Sequence, residues 1–143
     1  MRRTVQIILL GLLASVFVDA TAAEKLSRKQ RKELLEVQES YAATLRWVGI
    51  QDALSFIDPE YRKAHPLTEL ELSRYDQVKV SGYRERDASA LPNGTAERRM
   101  EVNVVNQNTQ SERTIVVRET WRWDKERKRW WQTSGLPDLW PER

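Results

Sequence analysis

WRWDKERKRWW, residues 121–131, decides how the rest of the chain is read. It holds four tryptophans and seven charged residues in eleven positions. Such a run is either a cationic, Trp-rich surface for nucleic acid or membrane, or a β-hairpin whose rings build a core. With 121–124 and 129–132 as arms, the loop is Lys125, Glu126, Arg127 and Lys128. Asp124 then faces Arg129, Trp123 faces Trp130, Arg122 faces Trp131 and Trp121 faces Gln132. These are an opposite-charge pair, a ring pair and a guanidinium over an indole, all favourable across strands. Trp121, Trp123 and Trp130 share one face, continuous with Ile115 and Val117. A membrane-active or strand-stacking segment has no need to keep that parity. Each inward indole buries on the order of 200 Å², so the stretch predicts a core with a solvated, charged tip.

Upstream of the hairpin the hydrophobic period is two. YDQVKVSGYRER sets Val78 and Val80 on one face, and AERRMEVNVVN sets Met100, Val102 and Val104 inside with Glu97, Arg99, Glu101 and Asn103 outside. RTIVVRETWRW continues the pattern, and DASALPNGT and NQNTQSE are connections. Further upstream the period is helical. Ser27 and Gln30 form a capping-box pair ahead of the stripe Leu34, Val37, Tyr41, Leu45 and Val48. Gly49 stands where a helix ends in a left-handed residue. QDALSFI is a second, short helix with Ala53, Leu54 and Ile57 inward, and Asp58-Pro59 caps another turn that Pro66 closes. Helices first and strands after predict an α+β fold, with N-terminal helices packed on a curved antiparallel sheet of about four strands.

The first residues are read as a signal peptide, residues 1–22. Arg2 and Arg3 precede an apolar run at 5–18, and Ala20-Thr21-Ala22 is a small-residue cleavage site, so the mature chain is expected to begin at Ala23. Fourteen residues make about 21 Å of helix, short of a bilayer core of about 30 Å, so no stable membrane anchor is expected. RRTVQ is a poor twin-arginine match. A periplasmic or secreted protein follows, with residues 23–143 as one domain. Removing residues 1–22 from the 143 leaves 121, enough for a core without staples. The chain has no cysteine, which excludes disulfides, thiolate nucleophiles and zinc–thiolate sites. The net charge of +3 comes from 24 basic and 21 acidic residues, interleaved almost everywhere. That balance argues against a nucleic-acid partner.

The helix, GIQDALSFIDPEYRK, the strand YDQVKVSGY and VVRETWRWD…RWWQTSGLPD together resemble the nuclear transport factor 2-like superfamily, the cystatin-like α+β cone roll. More narrowly they resemble small envelope proteins of gammaproteobacteria that end in a tryptophan-rich strand pair. The resemblance spans residues 27–139. It implies a cone that can enclose a pocket, in which some members use Asp, His or Tyr, and it implies that homodimers form through the outer sheet face. Val116 and Trp131, outward by parity, would be the contacts there. Many relatives are lipoproteins, but the lipid-bearing cysteine is missing here.

Candidate pocket residues are few. Glu119 shares the face of Val117 and Trp121, so its carboxylate points inward. Desolvated beside an indole, it would act as a general acid or base. The bland alternatives are a bulge that turns it out or an inward pair with Arg98, which has the parity of Met100. Tyr61 and Tyr83 are candidate hydrogen-bond donors, and Trp121 is a candidate wall. His65 is the only histidine, so a two-histidine metal site is excluded, and a loop position makes it an exposed residue before a catalytic one. Asp58 has a sufficient reason as a cap. Leu136, Leu139 and Trp140 either close the open end of the sheet or form a hook for a partner. No phosphate loop, nucleophile elbow, paired carboxylates or metal spacing is present, and no cofactor is expected. Three readings follow. The first is an exported non-enzymatic binding or accessory module, its partner an unidentified protein or small molecule. The second is a small-molecule lyase or isomerase working in the cone with Glu119 as base. The third is salt-sensitive association with an anionic envelope surface through RKQRK and KERKR.

Overall fold

The computed structural model describes residues 25–140, so the expected leader and its cleavage site lie outside the described residues. The fold is α+β. Helix α1 (Arg28–Ala43) runs into a π-helical turn (Thr44–Val48) and a 3-10 turn (Asp52–Phe56). Helices α2 (Pro59–Ala64) and α3 (Glu69–Tyr75) follow, then strands β1 (Val78–Leu91), β2 (Thr95–Asn106), β3 (Glu112–Asp124) and β4 (Arg129–Gln132). The strands form one antiparallel sheet in the order β1-β2-β3-β4.

Local chemistry accounts for most of these boundaries. Ser27 and Gln30 close the capping box of α1, and Asp58 accepts the Glu60 N–H with Pro59 in the first turn of α2. Asn93 and Gly94, both at positive φ, make the tight β1–β2 turn. The connection expected at DASALPNGT is thus only its last part, because β1 continues to Leu91. Helix α3 goes beyond the sequence reading. Thr68 and Glu71 form its capping box, but its apolar residues make no buried stripe and Leu70 is exposed.

The core lies between α1 and the inner sheet face, built from Leu34, Tyr41, Leu45, Val80, Met100, Val102, Val104, Ile115, Val117, Trp121 and Trp130. The hairpin register is the one parity predicts, Trp121 opposite Gln132 through Asp124 opposite Arg129. Trp121 and Trp130 are fully enclosed, while Trp123 is half-buried and tilts against Trp130 at 5.6 Å. The C-terminal segment folds back. Leu139 is buried, Trp140 packs on Tyr75 at 5.2 Å, and the Tyr75 hydroxyl donates to the Pro137 carbonyl at 3.0 Å.

Five expectations are corrected. Val48 is 70 % exposed rather than part of the α1 stripe, because the Gly49 N–H bonds the Thr44 carbonyl in a wide π turn that rotates it outward. Gly49 itself is extended, with φ 168°, not left-handed. Arg122 does not cover Trp131. It reaches Asp58 at 2.6 Å, and Arg129 stacks over the Trp131 ring at 3.7 Å. Asp124 consequently pairs with Arg127 and with the Trp131 indole N–H, each at 3.1 Å. Trp131 is therefore buried within its own subunit and is no surface contact for a second copy, whereas Val116 is exposed.

Candidate functional site

Glu119 points inward, as strand parity requires, and is 2 % exposed. It sits directly opposite Arg98 on β2, and the Arg98 Nε donates to its Oε2 at 2.6 Å. The Trp121 indole N–H donates to the same oxygen at 3.0 Å, and the Tyr83 hydroxyl donates to Oε1. Both carboxylate oxygens are engaged. Arg98 also reaches the Gln38 carbonyl at 3.3 Å and lies 3.8 Å from Glu85. The pairing with Arg98, rather than a bulge that turns Glu119 out, is the arrangement realised.

Tyr83 reaches this cluster through the first of two irregularities of β1. Register shifts between Val80 and Gly82 and between Glu85 and Asp87 each insert a residue. The first places Tyr83 opposite Val102 and so on the buried face; strict alternation from Val80 would have placed it outside. Gly82 suits the close approach there, since a Cβ would come within 3.3 Å of the Asn103 side chain. Tyr41, from α1, meets Trp121 edge-on at 5.5 Å and Tyr83 at 6.5 Å. Burial, reinforced by the Glu119 charge, pushes both phenols well above their ordinary ionisation range. Both hydroxyls therefore stay protonated near neutral pH; that of Tyr83 donates to Glu119, and that of Tyr41 accepts from the Gln132 amide.

A cavity of about 300 Å³ borders this cluster, walled by Tyr41, residues 116–119, Gln132 and the returning segment 134–138. Gln132 shapes it, accepting the Ser134 and Gly135 N–H groups at 2.9 and 2.7 Å and donating to the Tyr41 hydroxyl at 3.3 Å.

The structure brings together Glu119, Tyr83 and Trp121 of the candidates and separates the other two. Tyr61 stacks on His65 at 4.2 Å between ring centroids. The pair lines a second cavity of about 240 Å³ with Leu54, Leu72 and Leu136. His65 is exposed, and its Nδ1 lies 3.1 Å from the Tyr61 carbonyl. Among the described residues no group of three or more His, Asp or Glu side chains is placed to hold a metal ion. No described helix is long and apolar enough to cross a membrane.

The two basic segments are brought near each other, because the Trp130 indole, next to KERKR, donates to the Gln30 carbonyl in RKQRK at 2.9 Å. Part of that charge is compensated locally, by Lys29–Glu33, Lys32–Glu36 and Arg127–Asp124 pairs.

The sequence reading passed over Arg46, Trp47, Asp52 and Asp76. They surround a third and larger cavity, of about 720 Å³, beside the π turn. The available signal was Trp47 lying off the apolar stripe of α1. No protein-family model matches the chain, and no curated protein matches it, so the reading of these sites rests on their own geometry.

Proposed function

We propose that this chain is an exported, non-enzymatic binding or accessory module of the cell envelope. The observation that carries the reading is the state of Glu119, the one acidic candidate inside. Its two oxygens already accept from Tyr83, Arg98 and Trp121. A general base needs a lone pair directed at a substrate proton and a driving force to take it. A carboxylate that already accepts from a buried guanidinium and two further donors has most of its lone pairs committed before any substrate arrives. Trp121 and Trp130 occupy much of the space under the inner sheet face. The leader-like residues 1–22 and the resemblance to the cone-roll superfamily support export and a binding role.

A second reading, a lyase or isomerase, draws on the cavity of about 300 Å³ that reaches Glu119 and Tyr41. Native mass spectrometry of the protein released from its own periplasm separates the two. The expected species is the chain alone, as monomer or dimer. A stoichiometric small-molecule mass that disappears in Glu119→Gln would overturn the non-enzymatic reading and place a ligand on the interior carboxylate.

A further inference from the structure

The π turn at Thr44–Val48 leaves two large apolar side chains in water, Trp47 at 72 % and Val48 at 70 % exposure. Regular α-helical continuation would have kept Val48 in line with Leu45 and the core. π-helical turns recur at functional sites, and exposing apolar surface costs free energy in the absence of a ligand. The turn borders the cavity of about 720 Å³, whose other walls are residues 49–52, Tyr75, Asp76, residues 78–80 and Gln107. That volume lies within the range of about 300–1,000 Å³ usual for small-ligand sites.

The polar groups around it define the ligand. Asp52 and Asp76 balance Arg46 and Lys79, so the wall carries no net charge. A phosphate, a carboxylate or a cation would find no excess of opposite charge there. Gln51 and Gln107 add amides, and both are tied to Asp76, at 3.2 Å to its carboxylate and 2.9 Å to its carbonyl. Gly49 leaves room for Asp52, whose Oδ2 is 2.6 Å from the place a Cβ would occupy. Arg46 stacks over Trp47 at 4.8 Å and holds the Ser81 carbonyl at 3.4 Å. Among the described residues its enclosed Nε has no hydrogen-bond partner, a donor that an ordered water or a ligand would satisfy.

An exposed planar ring beside paired amides, carboxylates and a guanidinium, with no net charge, matches one chemistry. A pyranose offers an apolar C–H face to an indole, and its vicinal hydroxyls match side chains that carry two coplanar polar atoms. We propose that the cavity beside the π turn binds a neutral carbohydrate, with Trp47 stacking on a sugar face and Asp52, Asp76 and Arg46 bonding its hydroxyls. The proposal rests on the binding-module reading above and names its ligand class.

The test titrates the exported chain with chitotetraose, cellotetraose and maltotetraose, following tryptophan fluorescence and calorimetry, with an oligogalacturonate as the anionic comparison. The expected result is saturable binding of at least one neutral tetrasaccharide. Trp47→Ala should weaken it about tenfold or more, and Asp76→Asn should weaken it by about the same factor, as loss of one good contact would. Because Trp47 is exposed, Trp47→Ala should keep the parent melting temperature. No binding of the three neutral sugars, stronger binding of the anionic one, or binding indifferent to Trp47→Ala overturns the site. Cleavage of a bound sugar would leave the site standing and overturn the non-enzymatic reading instead.

Discussion

Arg98 and Glu119 face each other across β2 and β3, and both side chains turn to the buried side of the sheet, where Nε and Oε2 meet at 2.6 Å. Removing one charge leaves the other without compensation in a poorly polarisable interior. Arg98→Met should therefore cost about 3–5 kcal/mol of stability, read as a lower urea midpoint. The double variant Arg98→Met, Glu119→Leu should recover only part of that loss, because the Tyr83 hydroxyl and the Trp121 indole N–H would lose their acceptor. Full recovery would show that those two donors contribute little.

Asp124 predicts acid sensitivity at the hairpin tip. The Arg127 N–H, then the Trp131 indole, the Arg127 guanidinium and the Glu126 N–H, hold its carboxyl well below its ordinary value of 3.8. In that interval the unfolded chain binds the proton and the folded one does not, so stability rises with pH. The contribution is complete above 3.8 and is lost as pH falls below it toward the folded value. Asp124→Asn should flatten the fall in melting temperature measured downward from pH 4. An unchanged acid limb would remove Asp124 from the account.

The alkaline limb belongs to the tyrosines. Tyr41 and Tyr83 are raised by burial and by Glu119, and Tyr75 is pushed up to about 12, by burial first and then by Asp138. Above the ordinary value of 10.0 the unfolded chain loses these protons while the folded chain keeps them. Stability therefore falls as pH rises past that value. Tyrosinate absorbance should lag behind the ordinary titration and then rise together with unfolding followed by circular dichroism. A smooth titration with the fold intact would contradict the burial of these phenols.

How much of this was legible in the sequence depends on whether the geometry is local. The 121–132 hairpin was, because its register needs only parity and a short charged loop, and Glu119 with Arg98 followed from the same alternation. Tyr83 was named without a positional reason, since the bulge of β1 between Val80 and Gly82 that turns it inward arises from pairing with β2. Val48 was misplaced because a π turn breaks the 3.6-residue period that put it inside. Trp131 was placed on the correct face, but its cover by Arg129 and Asp124 comes from side-chain choices among several cations. Helix α3 had its Thr68–Glu71 capping box in plain view and lacked the apolar stripe that would have drawn attention to it.

Gly135 holds the returning segment against α2. Its φ is +79°, and a Cβ there would lie 2.7 Å from Cε1 of Tyr61. Two separable penalties follow for Gly135→Ala. The left-handed backbone costs about 1–2 kcal/mol for a residue with a Cβ, and displacing the ring adds to it. In a Tyr61→Ala background the steric part vanishes and the backbone part stays. The Gly135→Ala penalty from urea unfolding should therefore shrink in that background without reaching zero, a coupling of the size expected for touching residues. Equal penalties in the two backgrounds would mean that the Tyr61 ring moves aside without cost, and that its stacking on His65 does not hold it in place.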